Sequence, residues 1–107
     1  MAHTDAVVVL TTIATNDEAV TLIRELLDRR LIACGTVLPG GRSIYRWEGK
    51  IHDENEVLVL FKTRAETVER LKARILELHP YEVPEILCVP VESGYQAYLD
   101  WLSAQTR

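Results

Sequence analysis

Two short apolar runs fix most of what this chain can become: Ala6 to Leu10 read AVVVL, and Val57 to Phe61 read VLVLF. Each is short, rich in β-branched residues and apolar throughout, the pattern of a central strand covered on at least one face. Between and after them the hydrophobic period changes. Thr15 and Glu18 have the S/T-x-x-E spacing of a capping box, with Asn16 and Asp17 as further acceptors for the orphan amides of a helix start. Ala19, Val20, Ile23, Leu26 and Leu27 then recur at three and four residues, while Arg24/Asp28 and Glu25/Arg29 stand four apart on the other face. The spacing predicts an amphipathic helix from Thr15 to about Arg30.

From Leu31 to Thr63 two β-rich arms flank a turn signal at Glu48-Gly49-Lys50, which predicts a hairpin. Pro39-Gly40-Gly41 interrupts its first arm, and proline removes a ladder donor, so that arm is a bent edge strand or carries a bulge. Thr63 and Glu66 repeat the capping-box spacing, and Val68, Leu71, Ile75 and Leu78 recur at helical intervals. The second helix should close at His79-Pro80, because a residue before proline is pushed out of the helical region. Glu85 to Val91 form the last strand, with Pro90 marking an edge; after Gly94, Tyr95, Tyr98, Leu99, Trp101 and Leu102 give a C-terminal amphipathic helix. The order β-α-β-β-α-β-α contains the ferredoxin-like βαββαβ unit, an α+β fold. Right-handed crossovers place its antiparallel sheet in the order 4-1-3-2, with both internal helices on one face. The 107 residues make one domain, 1–107.

Charge and cysteine narrow the functional classes. The formal net charge is −4 and the basic residues are scattered, so no stripe exists for nucleic acid. The opening MAHTDAVVVL lacks the basic head and apolar stretch of a secretory signal, and no run approaches the ~20 apolar residues of a membrane span, so a soluble cytoplasmic protein is expected. Cys34 and Cys88 lie in the apolar runs LIACGTV and ILCVPV, where a thiol acts as a small buried hydrophobe. The sheet order puts them on opposite sides, beyond disulfide reach, so both should be free. No P-loop, G-x-G-x-x-G, C-x-x-C or serine elbow is present, so the expectation is a non-enzyme without an organic cofactor.

SIYRWEGKI, HPYEVPE and YLDWL, together with VVVLTTI and LIACGTVLPG, resemble the CutA divalent-cation tolerance proteins over nearly the whole chain. The resemblance implies a ferredoxin-like fold, a homotrimer resembling the PII signalling proteins, and a cytoplasmic role linked to copper and other divalent metals. It also implies a copper site built from a cysteine at the end of the first strand, the histidine of HPY and the glutamate of the P-E pair. His79 and Glu85 match; Thr11 stands where the family has cysteine, and a hydroxyl is a poorer soft-metal ligand than a thiolate.

Taken on their own chemistry, these residues leave alternatives. His79 closes a helix and is followed by Tyr81, Glu82 and Glu85 in a turn flanked by Pro80 and Pro84, a donor set for copper(II) or zinc. The same histidine also reads as a cap on the last carbonyls of its helix, with the glutamates solvated. Tyr45 and Trp47 alternate on one face of the hairpin arm, where they serve an interface or pack within their own chain. Lys62 resembles the family's lysine at the end of the third strand. With Tyr45, Trp47, Glu48, Tyr81 and Glu82 it would outline a cleft between subunits for a small anionic ligand, or else snorkel toward a nearby carboxylate. His3 near the N-terminus offers copper an imidazole with backbone nitrogens, and His52 in HDENE reads as a solvated turn residue. The leading expectation is a trimeric, non-catalytic protein of divalent-cation (copper) binding and tolerance. The alternative is a PII-like signalling or scaffold module holding a small ligand between subunits.

Overall fold

The computed structural model describes residues 4–107, so His3 lies outside the described residues. Strands β1 (Ala6–Ile13), β2 (Cys34–Trp47), β3 (Lys50–Arg64) and β4 (Leu87–Pro90) alternate with helices α1 (Asn16–Asp28), α2 (Val68–Leu78) and α3 (Gln96–Gln105). The sheet order is β2-β3-β1-β4 with every pairing antiparallel, which meets the ferredoxin-like expectation.

The two apolar runs become the centre of the sheet. Val9 pairs with Phe61 and Thr11 with Val59 across β1 and β3, and all four side chains are fully buried beneath α1 and α2. Strand geometry turns alternate residues to opposite faces, so Val8, Leu10, Leu58 and Leu60 share the other face and stay only partly covered. The C-terminal helix closes one end of that face, where Leu102 packs with Ala6, Ala33, Val91 and Leu99. The remainder carries exposed Leu38, Leu87 and Val89, the last two 53% and 48% accessible.

Local signals explain the first helix closely. Thr15 caps it by accepting the Glu18 amide at 3.1 Å, and its hydroxyl donates to the Glu18 carboxylate at 2.9 Å. Its buried stripe is Ala19, Leu22, Ile23 and Leu26. Val20 and Leu27, expected on that stripe, stand one helical step of about 100° aside and are exposed. Glu25 joins Arg29 as the spacing predicts and also reaches Arg74 at 2.6 Å, tying α1 to α2.

The second capping box does not form. Thr63 belongs to β3, and its buried hydroxyl donates to the Leu31 carbonyl at 2.7 Å, while a 3-10 turn over Ala65–Thr67 leads into α2 without a side-chain cap. The strand runs on because Thr63 pairs with Val7, and Glu66 pairs instead with Arg64. At the far end of α2, Leu78 is past the packed turn and is exposed.

Trp47 pairs with Lys50, so the hairpin closes on Glu48 and Gly49, both with positive φ (51° and 78°), the conformation of a type I′ turn. The ladder is interrupted once, between Leu38 and Gly41, where Pro39 and Gly40 form the expected bulge. A Cβ on Gly41 would lie 2.7 Å from the Glu56 carbonyl oxygen, so the close approach of the two arms requires glycine there. Cys34 and Cys88 are free and lie on opposite edge strands, yet they are not the buried hydrophobes that their apolar runs imply. Cys34 is half-buried and Cys88 exposed, because an edge strand as short as β4 lacks a neighbour on its outer side.

Candidate functional site

The distal half of the hairpin, the end of β1 and the segment after α2 enclose a cleft of about 640 Å³. Counting back from the turn, Tyr45 opposes His52, Ser43 opposes Glu54 and Gly41 opposes Glu56, so these residues share one face of the ribbon. Tyr81, Glu82, Val83 and Glu85 line the cleft from the other side, and Thr12 contributes from β1. Three aromatic residues (Tyr45, Trp47 and Tyr81) and four glutamates (54, 56, 82 and 85) therefore face a space that, among the described residues, no Lys, Arg or His lines.

Two phenols are tied to carboxylates. Tyr81 Oη donates to Glu56 Oε2 at 2.6 Å, and Tyr45 Oη donates to Glu54 Oε2 at 3.1 Å. Tyr45 also stacks on His52, with ring centroids 5.2 Å apart and planes 14° from parallel. His52 is thus a strand residue with a ring partner, where a solvated turn was expected. Burial, and then the hydrogen bond to Glu56, push the Tyr81 hydroxyl well above the ordinary tyrosine range; Tyr45 is raised by burial and by Glu54. A raised phenol contributes stability that is complete below the unfolded-state value of about 10 and is lost as pH climbs toward the folded-state value. The stability difference between wild type and Tyr81→Phe, followed by denaturant unfolding, should accordingly shrink as the solution is made more alkaline than about pH 10. A difference that is constant through that range would refute the link to Glu56.

His79 sits at the C-terminal cap of α2 beside the end of β1, the place its sequence position implies, but both of its ring nitrogens are taken. Nδ1 accepts the Tyr81 amide at 3.1 Å, so Nε2 carries the hydrogen and donates to the Thr12 carbonyl at 2.8 Å. The ring is buried and packs edge-on against Tyr81, 4.7 Å between centroids. In this arrangement neither ring nitrogen is free for a metal, and His79 fixes the start of the segment that carries Tyr81, Glu82 and Glu85. Thr11 is fully buried under the helices and likewise unavailable. Among the described residues no three His, Cys, Asp or Glu side chains are clustered as a ready-made metal cage.

The expected cleft residues divide. Tyr45, Trp47, Tyr81 and Glu82 come together, and Glu85 joins them. Glu48 stays at the hairpin tip and does not line the cleft. Lys62 lies at the opposite end of β3, paired in register with Cys34, where its ammonium donates to Thr36 Oγ1 and lies 3.5 Å from Cys34 Sγ. Within a single chain that lysine is remote from the cleft, and the carboxylates lining it make the cleft acidic. Glu54 and Glu56 are cleft residues that the motifs do not reveal. Counting outward from a two-residue turn at Glu48-Gly49 is the signal that puts both on the face of Tyr45.

Residues 7–105 match the family model described as "CutA1 divalent ion tolerance protein". The chain is 43% identical over 99 residues to the divalent-cation tolerance protein CutA of Thermus thermophilus, covering 92% of this chain and 96% of that one. It is 44% identical over 103 residues to the protein of that name from Pectobacterium atrosepticum, covering 96% and 94%. Among solved structures, the divalent cation tolerance protein Cut A1 from Thermus thermophilus superposes with a TM-score of 0.92 at 42% identity, covering 95% of this chain and 99% of that one. CutA from Xylella fastidiosa superposes with a TM-score of 0.94 at 38% identity, covering 97% and 100%.

Proposed function

The chain belongs to the CutA1 divalent ion tolerance family, and from that premise we propose that it acts as a non-catalytic cytoplasmic homotrimer of single-domain protomers, meeting divalent cations at the carboxylates of its cleft. The observation that carries assembly is the face of the sheet opposite α1 and α2. Leu10, Leu58 and Leu60 are only partly covered there and Leu87 is 53% exposed, a continuous aliphatic surface that a second copy would bury. Both edges of the sheet are also open, and β2 offers 14 residues of strand.

The donor chemistry decides which cations suit the cleft. Glu54, Glu56, Glu82 and Glu85 supply hard carboxylate oxygens, which favour ions such as manganese(II) or magnesium. Copper(II) favours imidazole and thiolate; here it would have to displace the Thr12 carbonyl from His79, with no cysteine lining the cleft. Glu85 therefore remains the proposed ligand of the expected pair, and His79 is assigned the role of positioning its segment. No helix of the described residues is long and apolar enough to cross a membrane.

Native mass spectrometry with and without manganese(II) tests both parts. The expected particle is about 37 kDa, three times 12.2 kDa, carrying manganese that Glu85→Gln weakens. A 12.2 kDa particle at micromolar concentration would remove the assembly, and equal manganese uptake by the variant would remove the ligand.

A further inference from the structure

We infer that Thr106 and Arg107 form a polar latch that holds α3 as a flap over one end of the sheet, so that the helix opens as a unit while the βαββαβ body stays folded. The latch lies within one chain and involves none of the residues that line the cleft.

Little apolar burial holds the helix. Of its ten residues Leu102 is buried and Leu99 and Gln105 are half-buried, while Tyr98 and Trp101 are each 43% exposed. By contrast, α1 buries Ala19, Leu22, Ile23 and Leu26. The helix α3 also starts at Tyr95 without a side-chain cap, so its first amides gain nothing from the cap residue. An element with few buried apolar contacts and an uncapped end opens at a lower free energy than the core.

The two residues just beyond the helix, in contrast, are densely bonded. Arg64, at the end of β3, donates through Nε to Thr106 Oγ1 at 2.7 Å and through Nη2 to the Thr106 carbonyl at 3.2 Å. Thr67 and Arg70 both donate to the main-chain oxygen of Arg107, Thr67 at 3.1 Å. The Arg107 amide donates to the Arg30 carbonyl at 3.1 Å, just past α1. The tail therefore joins the ends of α1 and β3 to the start of α2. Thr67 is fully buried, and among the described residues Arg107 is the one partner of its hydroxyl, so release of the tail would strand a buried polar group. Bonds donated by a guanidinium are also about twice as strong as neutral ones. The latch, more than the apolar face of the helix, thus sets how often α3 opens and uncovers Ala6, Ala33 and Val91.

Native-state hydrogen exchange, read by mass spectrometry, tests the latch in wild type, Arg64→Gln and Thr106→Val. Arg24→Gln is the control, since it removes an exposed arginine of α1 that plays no part in the latch. In the wild type the amides of α3 should exchange before those of β1 and β3. Each latch variant should speed exchange in α3 by about ten- to a hundredfold, the loss of one or two hydrogen bonds to a charged group, and leave β1 and β3 unchanged. The control should change neither. Should Arg64→Gln fail to fold, Thr106→Val decides alone, because it leaves β3 untouched. Exchange in α3 no faster than in β1 and β3, or an acceleration spread evenly over the chain, would overturn the inference. The same comparison is made with Leu60→Glu added, which places a charge on the open face of the sheet to keep chains apart. Acceleration seen only in that background would mean that a second copy holds α3 and would likewise overturn the latch.

Discussion

Leu60→Glu should convert the proposed trimer into single folded chains of 12.2 kDa. Leu60 lies at the middle of β3, opposite Leu10, on the face that α1 and α2 leave open. Burial of a leucine at an interface contributes roughly 1.5–3 kcal/mol, and a carboxylate in the same place forfeits that and adds a desolvation cost of several kcal/mol. In a closed trimer the change is made three times, so association should weaken by several orders of magnitude. The isolated protomer should keep its far-ultraviolet circular dichroism, because in the single chain this position is already partly wet. Light scattering at micromolar concentration decides the matter: a variant that still scatters as a trimer would mean that the open face is not the interface.

Phe61→Ala, one residue further on, should have the opposite consequence. Phe61 is 0% exposed, pairs with Val9 and belongs to the cluster formed with α1 and α2. Truncating a fully buried phenylalanine removes its transfer free energy and leaves a cavity, typically about 3–5 kcal/mol in total. Set against a domain stability of about 5–15 kcal/mol, that is a large share of what holds the protomer together. The urea midpoint should fall steeply with little change in slope, since the same surface is exposed on unfolding. A loss below about 1 kcal/mol would mean that the helices do not cover this face as described. The two substitutions separate folding from assembly because a strand turns successive side chains to opposite faces.

The same alternation explains how much of the fold is legible in the order of residues. AVVVL and VLVLF read as central strands because β-branched apolar runs have few other homes, and Thr15 with Glu18 reads as a cap because both partners lie within one turn. The identical spacing at Thr63 and Glu66 misleads, since Thr63 finds a better partner in the Leu31 carbonyl 32 residues away. Lys62 and Tyr45 read as facing one cleft between subunits; within a single chain the register puts them at opposite ends of the hairpin, with Lys62 beside Cys34 and Tyr45 beside His52.

The amino-acid order thus determined which segments became strands and helices, the sheet order, and the face that each strand residue occupies, because periodicity and caps are short-range and repeat along the chain. Tertiary structure alone decided that Glu56 is buried against Tyr81, that both nitrogens of His79 are spent on backbone partners, and that the cleft is acidic. Those facts depend on where the Pro39–Gly41 bulge shifts the ladder and where the chain passes after α2, and such distances between remote residues exist only once the sheet has closed.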